Sequence, residues 1–357
     1  MFLYKIRNKI RKAIIENFQY YWNFLKSQSI KSKKKSVFID VRDITLNRYL
    51  YNFIKFFQLN EYTVYLPKDK KMFCILSKNK GEFRFGSWIL EEKIKFGKPK
   101  VSNLVITRTQ LSNDYFVLTK GLNQFHVPMS EYPAFYFYGV EIPIMDMNNR
   151  RKNSVFMSGN MDATYYNEIS KSRFFEILSR RDIAEFIMKQ PYYLDVDSLD
   201  DLNNYINADI DFKVILIDTK EKFRIPFSDL KTTLIHFNFY LALPGILIPQ
   251  SHNLIEAMSV GCIPVIHNNY AALLTPVLKH MENAIVYCNL KELDAQLLGL
   301  FDLDEHIIDS MQQNVYEYYQ NYLSPKSIVN KIEHNDFSKI YIQAEGKSLE
   351  FLNGNFS

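Results

Sequence analysis

The chain has 357 residues, of which 47% are hydrophobic and 23% are charged, an ordinary composition for a globular protein. This length predicts two domains, since one domain typically takes about 100–200 residues. The net charge of +5 is uneven: residues 1–35 carry ten Lys and Arg against one acid, so the remaining 34 bases meet 38 acids. A body that binds nucleic acid would be basic, so we exclude a nucleic-acid partner.

The cysteine content and the hydropathy exclude two further classes. Cys74, Cys262 and Cys288 lie far apart in apolar surroundings, which disfavours a disulfide framework and favours a reducing compartment. No stretch of about 18 apolar residues occurs, so we expect no transmembrane helix. The N-terminus lacks the continuous apolar core of a secretory signal. We therefore expect a cytoplasmic protein, with association to a membrane surface as an option.

Residues 1–35 form a basic arm with a helical apolar stripe. The stripe consists of Leu3, Ile6, Ile10, Ile14, Phe18, Tyr21 and Leu25. Spacings of three or four residues predict an amphipathic helix. Two roles stay open. The arm lies on an anionic membrane surface, where each basic residue contributes about 1 kcal/mol, or it packs on the body and leaves a solvated basic edge.

From residue 36 the chain alternates predicted strands and helices, which is typical of parallel α/β domains. In the first half, strands are predicted at 36–40, 62–67, 72–77, 103–107 and 115–120, with a helix at 46–60. A stretch with three prolines, 125–153, is predicted to cross between domains. In the second half, strands are predicted at 154–160, 211–218, 237–243, 262–267 and 283–287, and helices at 167–189, 226–236, 251–261, 289–300 and 304–323.

This pattern predicts an α/β fold of two Rossmann-like domains that face each other across a cleft, preceded by a basic amphipathic helix. The predicted segments are the arm 1–35, an N-terminal domain with its crossover 36–150, a C-terminal domain 151–333 and a tail 334–357. Ligands of open parallel sheets bind beyond the carboxyl ends of the strands. No Gly-x-Gly-x-x-Gly follows the first strand of either domain, which disfavours a nicotinamide dehydrogenase.

The stretch 239–266 joins the end of a strand to the start of a helix. Pro244-Gly245 ends the strand, and glycine permits a turn and the close approach of a ligand. Ser251 or Asn253 caps the helix, whose N-terminus favours an anion such as a diphosphate. Glu256 follows one turn later. Its carboxylate could accept hydrogen bonds from two ribose hydroxyls, or it is simply a favourable first-turn acid.

The same stretch resembles the exostosin-like glycosyltransferases, whose core reads Pro-Gly, a short loop, Ser, and then a helix with an acid before Gly-Cys-Ile-Pro-Val-Ile. The matching residues are Pro244, Gly245, Ser251, Glu256, Ala257, Gly261, Cys262, Ile263, Pro264, Val265 and Ile266. Glu256 also stands where retaining GT-B enzymes carry the glutamate that holds the donor ribose. The resemblance is weaker across the rest of the second domain, and the first domain shows no motif of the family.

The resemblance implies a GT-B glycosyltransferase with the nucleotide-sugar donor on the C-terminal domain and the acceptor on the N-terminal domain. It implies transfer with inversion and without an essential metal. We expect a UDP-sugar as donor, no cofactor, and a glycan or lipid-linked acceptor in surface polysaccharide or glycan synthesis. Two alternatives stay open: a non-catalytic GT-B-shaped binding protein and a nucleotide-sugar epimerase. The Asp-Val-Asp at 195–197 is expected to be a solvated loop rather than a metal site.

The predicted site residues follow from these roles. Without a metal, helix N-termini and cations stabilise the leaving diphosphate, here with Arg173 or Lys171 as the cation. The other predicted donor contacts are Gly159, Asn160, Ile225, Gly245, Ser251, His252, Asn253, Glu256 and His267. Transfer with inversion also needs a general base. Asp43 and Asp40 after the first strand are predicted for this role, Asp43 first, with His126 and Glu131 as rivals.

Overall fold

The computed structural model describes residues 2–76, 85–117, 121, 123–140, 151–166, 168–172 and 174–354. Its strands are β1 (Lys35–Ile39), β2 (Tyr62–Leu66), β3 (Lys95–Phe96), β4 (Leu104–Ile106), β5 (Leu111–Ser112), β6 (Gln124–His126), β7 (Lys152–Gly159), β8 (Tyr193–Leu194), β9 (Val214–Asp218), β10 (Phe237–Ala242), β11 (Ile263–His267), β12 (Ile285–Tyr287) and β13 (Lys339–Tyr341). Its helices are α1 (Phe2–Gln28), α2 (Arg48–Leu59), α3 (Lys70–Leu76), α4 (Phe85–Glu91), α5 (Pro133–Tyr138), α6 (Ala163–Tyr166), α7 (Arg180–Ile187), α8 (Leu199–Asn207), α9 (Leu230–Leu234), α10 (His252–Ser259), α11 (Asn268–Ala271), α12 (Leu290–Leu300), α13 (Glu305–Tyr318), α14 (Pro325–Glu333) and α15 (Gly346–Gly354).

The chain divides into two compact units, each of mixed α/β structure with parallel sheets. Unit 1 comprises Met1–Val127 and Pro325–Ser357, and unit 2 comprises Pro128–Ser324. The sequence analysis placed the boundary after residue 150 and treated 334–357 as a separate tail. The structure divides after Val127 instead, and the end of the chain returns to unit 1.

Unit 1 contains a four-stranded parallel sheet in the order β3-β2-β1-β4. Helix α2 connects β1 to β2 and begins where the Asn47 side chain accepts hydrogen bonds from the N–H groups of Tyr49 and Leu50. Eight of its twelve residues are buried, among them Phe53 and Phe57. This burial follows from a sequence whose apolar residues fill more than one helix face.

The predicted tail is part of the core of unit 1. Strand β13 lies between β5 and β6 in a three-stranded parallel sheet. The Asn113 side chain donates to the carbonyl of Ile342 at 2.8 Å, and the backbone carbonyl of Asn113 accepts from the Ser348 hydroxyl at 2.7 Å. A strand of three residues that pairs with segments more than 200 positions away carries almost no local sequence signal. This explains why the tail was not recognised.

Helix α1 packs on the rest of unit 1 through a narrow face. Tyr20 is 7% exposed and meets the Phe73 ring edge-on at 5.4 Å, and the Gln28 side chain donates to the carbonyl of Phe96 at 3.1 Å. The described side chains of the predicted apolar stripe point elsewhere and are strongly exposed, together with two apolar neighbours: Ile10 56%, Ile14 62%, Ile15 46%, Phe18 70%, Tyr21 59%, Trp22 62% and Leu25 63%. Among the described residues, no helix combines the length and the apolar composition needed to span a bilayer.

Several predicted elements of the sequence analysis were wrong. Residues 72–76 of the strand expected at 72–77 belong to helix α3, which Asp69 caps by accepting the Met72 N–H at 2.8 Å, and residue 77 lies outside the described residues. Residues 115–117 form no strand, and 118–120 lie outside the described residues. By contrast, the loop expected at 195–197 is present between β8 and α8, and both Asp195 and Asp197 are exposed. The predicted crossover contains helix α5.

Unit 2 is built on six parallel strands in the order β12-β11-β10-β7-β9-β8. From the central strand β7 the chain fills one side with β8 and β9, and then crosses to build β10, β11 and β12 on the other side. The direction of winding therefore reverses between β7 and β10, which are neighbours. In open α/β sheets such a switch point leaves a crevice at the carboxyl ends of the two strands, where ligands bind.

Candidate functional site

The crevice is bordered by the loops that follow β7 and β10. Strand β7 ends at Gly159 and leads into Asn160, and β10 leads into Leu243, Pro244 and Gly245. Three of these residues were predicted from the sequence to line the site, namely Gly159, Asn160 and Gly245. The fold of unit 2 brings their backbones to the same edge of the sheet.

Arg180 connects the two loops. Its Nε donates to the carbonyl of Pro244 at 3.0 Å and its Nη1 donates to the carbonyl of Asn160 at 2.9 Å. The residue is only 3% exposed, and its guanidinium lies 4.1 Å from the centroid of the Tyr166 ring. One buried cation therefore lies across the switch point.

The position of Arg180 depends on where α7 begins. The sequence analysis predicted one helix over 167–189, but the structure has a 3₁₀ turn at Glu168–Lys171 and starts α7 only at Arg180. The Ser179 hydroxyl accepts the N–H of Asp182 at 3.0 Å, and the Asp182 carboxylate accepts from Ser179 in return. This capping box places Arg180 at the first helical position. The Ser-x-x-Asp pattern was the signal that could have identified it.

Arg180 has no ion-pair partner within the described part of the chain. Burial lowers the pKa of its guanidinium, while nearby phenols and Asp218 act in the opposite direction. A buried charge without a direct ion-pair partner is costly. An anion bound in the crevice would offset this cost, which makes the site suited to phosphate groups.

The start of α10 contributes a second positive element. The Asn253 side chain donates to the carbonyl of Ser158 at 2.9 Å and so ties the helix start to the end of β7. Ser251 is the N-cap residue, but its hydroxyl bonds to the Asn253 side chain at 3.1 Å and makes no cap bond. The N–H groups of the first turn have no acceptor within a helix, so this helix start suits an anion.

Glycine suits positions 159 and 245 for different local reasons. A Cβ on Gly159 would lie 3.0 Å from Arg180 Nη1 and 3.5 Å from Asn253 Nδ2, so these two side chains converge at this glycine. A Cβ on Gly245 would lie 2.6 Å from the carbonyl oxygen of Ile248, so this glycine is required by its own loop. Gln250 follows that loop, is 7% exposed, and its Oε1 has no hydrogen-bond partner among the described residues. The sequence analysis did not consider Gln250.

Glu256 lies deeper in unit 2 than expected. It is 1% exposed, and its Oε1 accepts the Tyr132 N–H at 3.0 Å and lies 2.8 Å from His252 Nδ1. Burial acts to raise the pKa of this carboxyl, but the His252 ring, the Tyr132 N–H and the charge of Lys231 outweigh it and lower the pKa. Both of these partners bond to Oε1, and a ribose contact at Glu256 stays a prediction.

Glu131, a rival general base in the sequence analysis, is enclosed in an ion pair. Its Oε2 lies 2.8 Å from Lys231 Nζ, and both side chains are 1% exposed. The Tyr319 hydroxyl donates to its Oε1 at 3.1 Å. Burial raises the pKa of Glu131 in spite of the lysine. The arrangement holds the carboxyl inside unit 2.

Four further residues were predicted to contact the donor, namely His267, Lys171, Ile225 and Arg173. His267 is 4% exposed, with Nε2 donating to the carbonyl of Cys288 at 2.9 Å and Nδ1 accepting the Asn269 N–H at 3.2 Å, and burial lowers its pKa. It borders a groove of about 610 Å³ beside the ends of β11 and β12. Lys171 is exposed and pairs with Glu168 at 2.6 Å. Ile225 is half-buried in the loop after β9, and Arg173 lies outside the described residues.

The predicted catalytic acids, Asp40 and Asp43, belong to unit 1 and are both paired with arginines. Asp40 is 6% exposed and accepts from Arg42 Nε at 2.8 Å. Asp43 is exposed and accepts from Arg108. The hydrogen bonds from these arginines lower the pKa of both carboxyls. The rival His126 stacks on the Tyr341 ring at 4.5 Å.

No protein family model and no curated protein matches the chain. Among solved structures, HepE from Anabaena in complex with UDP is similar over 84% of this chain and 98% of that chain, with a TM-score of 0.41 and 12% identity. A glycosyltransferase from Rickettsia africae is similar over 84% and 96%, with a TM-score of 0.37 and 10% identity. Likenesses at this level assign neither a fold nor an activity to the chain, and the exostosin-like resemblance of 239–266 stays a prediction.

Proposed function

We propose that the chain is a glycosyltransferase whose nucleotide-sugar donor binds at the switch point of unit 2, with its diphosphate between Arg180 and the start of α10. The observation that carries this proposal is the buried Arg180, which hydrogen-bonds to the loops after both β7 and β10 and has no ion-pair partner among the described residues. Arg180 thereby takes the role that the sequence analysis gave to Arg173 or Lys171.

The chemistry of sugar transfer suits this arrangement. When the bond between the sugar and the diphosphate breaks, negative charge develops on the leaving diphosphate. Donors that are already in place stabilise this charge without reorganisation. Arg180 supplies a fixed cation, and the first turn of α10 supplies backbone N–H groups and the positive end of the helix dipole. The proposal also includes transfer with inversion and without an essential metal, both of which the resemblance implies.

The donor proposed is a UDP-sugar, with no further cofactor. In this proposal the diphosphate is surrounded by Gly159, Asn160, Ser251 and Asn253. These residues lie at the end of β7 and at the start of α10, which meet beside Arg180. His267 and Ile225 are proposed to lie farther along the donor, towards the sugar and the base respectively. The buried and unpaired Gln250 Oε1 suits a hydroxyl of the donor.

The acceptor proposed is a glycan or a lipid-linked sugar bound by unit 1, in surface polysaccharide or glycan synthesis. The exposed apolar face of α1 supports a site of action at an anionic membrane. Phe18 and Trp22 are 70% and 62% exposed, and residues 1–35 carry ten basic side chains. Proteins that stay in solution rarely expose such a continuous apolar surface. An interfacial helix buries the apolar face and places its basic residues near anionic headgroups.

The first experiment is a nucleotide panel with a matched pair of variants. UDP, GDP, CMP and ADP are added separately to wild type, to Arg180→Lys and to Arg181→Lys, and the melting temperature is measured with and without EDTA. Arg181 is the control because it follows Arg180 in α7 but pairs with Glu185 at the surface. Lysine keeps the charge and loses the planar guanidinium that bonds to both loops.

We expect one nucleotide, UDP, to raise the melting temperature of wild type and of Arg181→Lys equally. At 100 times its dissociation constant it should stabilise the protein by about 2.7 kcal/mol. Arg180→Lys should show a much smaller shift. The proposal is wrong if no nucleotide shifts wild type, or if Arg180→Lys responds like wild type. If Arg180→Lys does not fold, Asn253→Ala takes its place.

The products distinguish the alternatives. A transferase releases UDP from a UDP-sugar in the presence of an acceptor, an epimerase yields an isomeric nucleotide-sugar without one, and a binding protein leaves the UDP-sugar unchanged. Chromatography of the nucleotide pool after incubation with wild type separates these results. We expect release of UDP.

A further inference from the structure

We propose that His252 is the general base of the sugar transfer and that Glu256 is its positioning residue. This inference rests on the proposed function and adds to it the group that removes the proton of the acceptor. It also replaces the carboxylates of unit 1 that the sequence favoured.

The two residues form a pair with one buried and one accessible end. His252 Nδ1 lies 2.8 Å from Glu256 Oε1, one helical turn later on α10. The Glu256 side chain is 1% exposed, whereas the His252 side chain is 31% exposed. The Tyr132 ring lies 5.2 Å from the imidazole, and the Tyr132 N–H fixes the same carboxylate oxygen at 3.0 Å. The carboxylate is thus held in place, and the imidazole reaches the surface of unit 2.

The charge of Glu256 determines the tautomer of His252. An ionised carboxylate only accepts hydrogen bonds, and the lowered pKa of Glu256 keeps it ionised near neutral pH. Nδ1 of His252 therefore carries the hydrogen in this pair. In the neutral imidazole, Nε2 then holds the free lone pair. Nε2 makes no hydrogen bond within the described part of the chain, so it is free to accept a proton.

The backbone places this imidazole beside the proposed diphosphate site. His252 is the first residue of α10, and the next residue, Asn253, bonds to the carbonyl at the end of β7. Consecutive Cα atoms are about 3.8 Å apart. A base at the start of this helix is therefore within a few ångströms of the elements that bind the donor. No acid of unit 1 is needed for this step.

The transfer step balances with these groups. The acceptor O–H bond breaks and its proton moves to Nε2, while the acceptor oxygen forms a bond to the anomeric carbon. The bond between that carbon and the diphosphate oxygen breaks, and the electron pair leaves on the diphosphate beside Arg180. The resulting imidazolium is stabilised by the ionised Glu256, as a carboxylate stabilises the histidine of a catalytic triad. The exposed imidazole then returns the proton to solvent.

The carboxylates of unit 1 are weaker bases in this structure. Asp40 and Asp43 each accept hydrogen bonds from an arginine, which lowers the pKa of both. A carboxylate with a lowered pKa has less tendency to accept a proton from a hydroxyl. His252 instead offers an Nε2 lone pair that has no hydrogen-bond partner among the described residues.

The groups around the pair set its response to pH. Those that face it are Glu131 and Tyr132 before α5, Tyr136 on α5, Lys231 on α9 and Tyr240 on β10. Glu131 and Lys231 compensate each other at 2.8 Å. The start of α10 disfavours a cation, and Glu256 offsets this effect. Glu256 is thus the group whose charge most directly controls protonation of His252.

The test compares nucleotide binding with turnover in His252→Asn and Glu256→Gln. The control is His306→Asn, which changes an exposed histidine in the first turn of α13. We expect His252→Asn to retain the UDP-induced shift in melting temperature and to lose activity about 10²- to 10⁴-fold, the usual contribution of a general base. The activity of wild type should fall at acid pH as the imidazole becomes protonated. In Glu256→Gln this acid limb should move to lower pH.

The outcomes separate this inference from the proposed function. If wild type binds UDP and transfers sugar but His252→Asn transfers at the wild-type rate, the inference is wrong and the proposed function stands. If His252→Asn loses UDP binding together with activity, His252 is a donor contact and not the base. If wild type neither binds UDP nor transfers sugar, the proposed function itself fails. His252→Gln provides a second variant if His252→Asn does not fold.

Discussion

Arg180 and Glu256 are both buried, but their charges have different kinds of partner. Arg180 bonds to two backbone carbonyls and has no carboxylate partner among the described residues. Glu256 receives two hydrogen bonds and lies near the charge of Lys231. A charge that is satisfied internally contributes to the fold, whereas one without a counter-charge favours binding of an anion. This difference is why Arg180, and not Glu256, anchors the proposed diphosphate site.

The ionisation of Glu256 predicts a pH-dependent contribution to stability. Its pKa is lowered in the folded protein from the ordinary value of 4.5, so the folded state favours the charged form. The stabilisation is complete above that value and is lost as the pH falls through the folded-state pKa. Glu256→Gln removes the charge and keeps an oxygen that accepts hydrogen bonds. The difference in unfolding free energy between wild type and Glu256→Gln should be largest at neutral pH and should shrink below pH 4.5.

Urea unfolding of both proteins at a series of pH values measures this difference. Asp197→Asn is a suitable control, since Asp197 is exposed and pairs with Lys222 at 2.8 Å on the surface. A difference for Glu256→Gln that stays constant down to low pH would contradict an ionised Glu256. It would also remove the basis for the tautomer of His252.

At the residue scale, the sequence predicted which backbone segments meet at the candidate site but not which buried charges lie there. Gly159, Asn160, Ser251 and Asn253 come together because strand ends and helix starts can be identified locally. Arg180 was missed because the helix start at Ser179 was not recognised within the predicted helix 167–189, so nothing distinguished Arg180 from Lys171 or Arg173. The tight contacts of Glu256 were not predictable, since Tyr132 is 124 positions away.

Helix α7 is the element whose start determines the position of Arg180. Ser179→Ala removes its cap and should cost about 1 kcal/mol of stability. Ser198→Ala removes the same type of cap from α8, where Ser198 accepts the Asp201 N–H at 3.1 Å. Both variants should lose similar stability, but only Ser179→Ala should weaken UDP binding, because only α7 carries Arg180.

Denaturant unfolding and UDP titration of the two variants check this prediction. An equal loss of UDP affinity in both would mean that binding follows global stability and not the position of α7. If Ser179→Ala loses stability but binds UDP as wild type does, the Ser179 cap is not needed to position Arg180.

Helix α1 is the element that supports membrane association. Phe18 and Trp22 stack at 6.4 Å on its exposed face. Phe18→Ser/Trp22→Ser should abolish flotation with vesicles that contain anionic lipid, because the apolar face no longer enters the interface. Val101→Ser is the control, since Val101 is 83% exposed outside the helix. Equal flotation of wild type and the double variant would contradict a membrane role for α1.

At the scale of the whole molecule, the alternation of strands and helices predicted two parallel α/β units but not their boundaries. The chain order cannot reveal that β13 inserts between β5 and β6, because that pairing joins segments far apart in sequence. The end of the chain therefore belongs to unit 1, and unit 2 is one continuous segment, Pro128–Ser324. All residues of the proposed donor site lie in this segment.

A crystal structure of the chain with UDP is the most direct test of the proposed donor site. We predict that diphosphate oxygens lie within about 4 Å of the Arg180 guanidinium nitrogens, the distance of an ion pair, and face the first-turn N–H groups of α10. Crystals of Arg181→Lys should show the same density. UDP bound in unit 1, or in unit 2 with its diphosphate away from Arg180, would contradict the account.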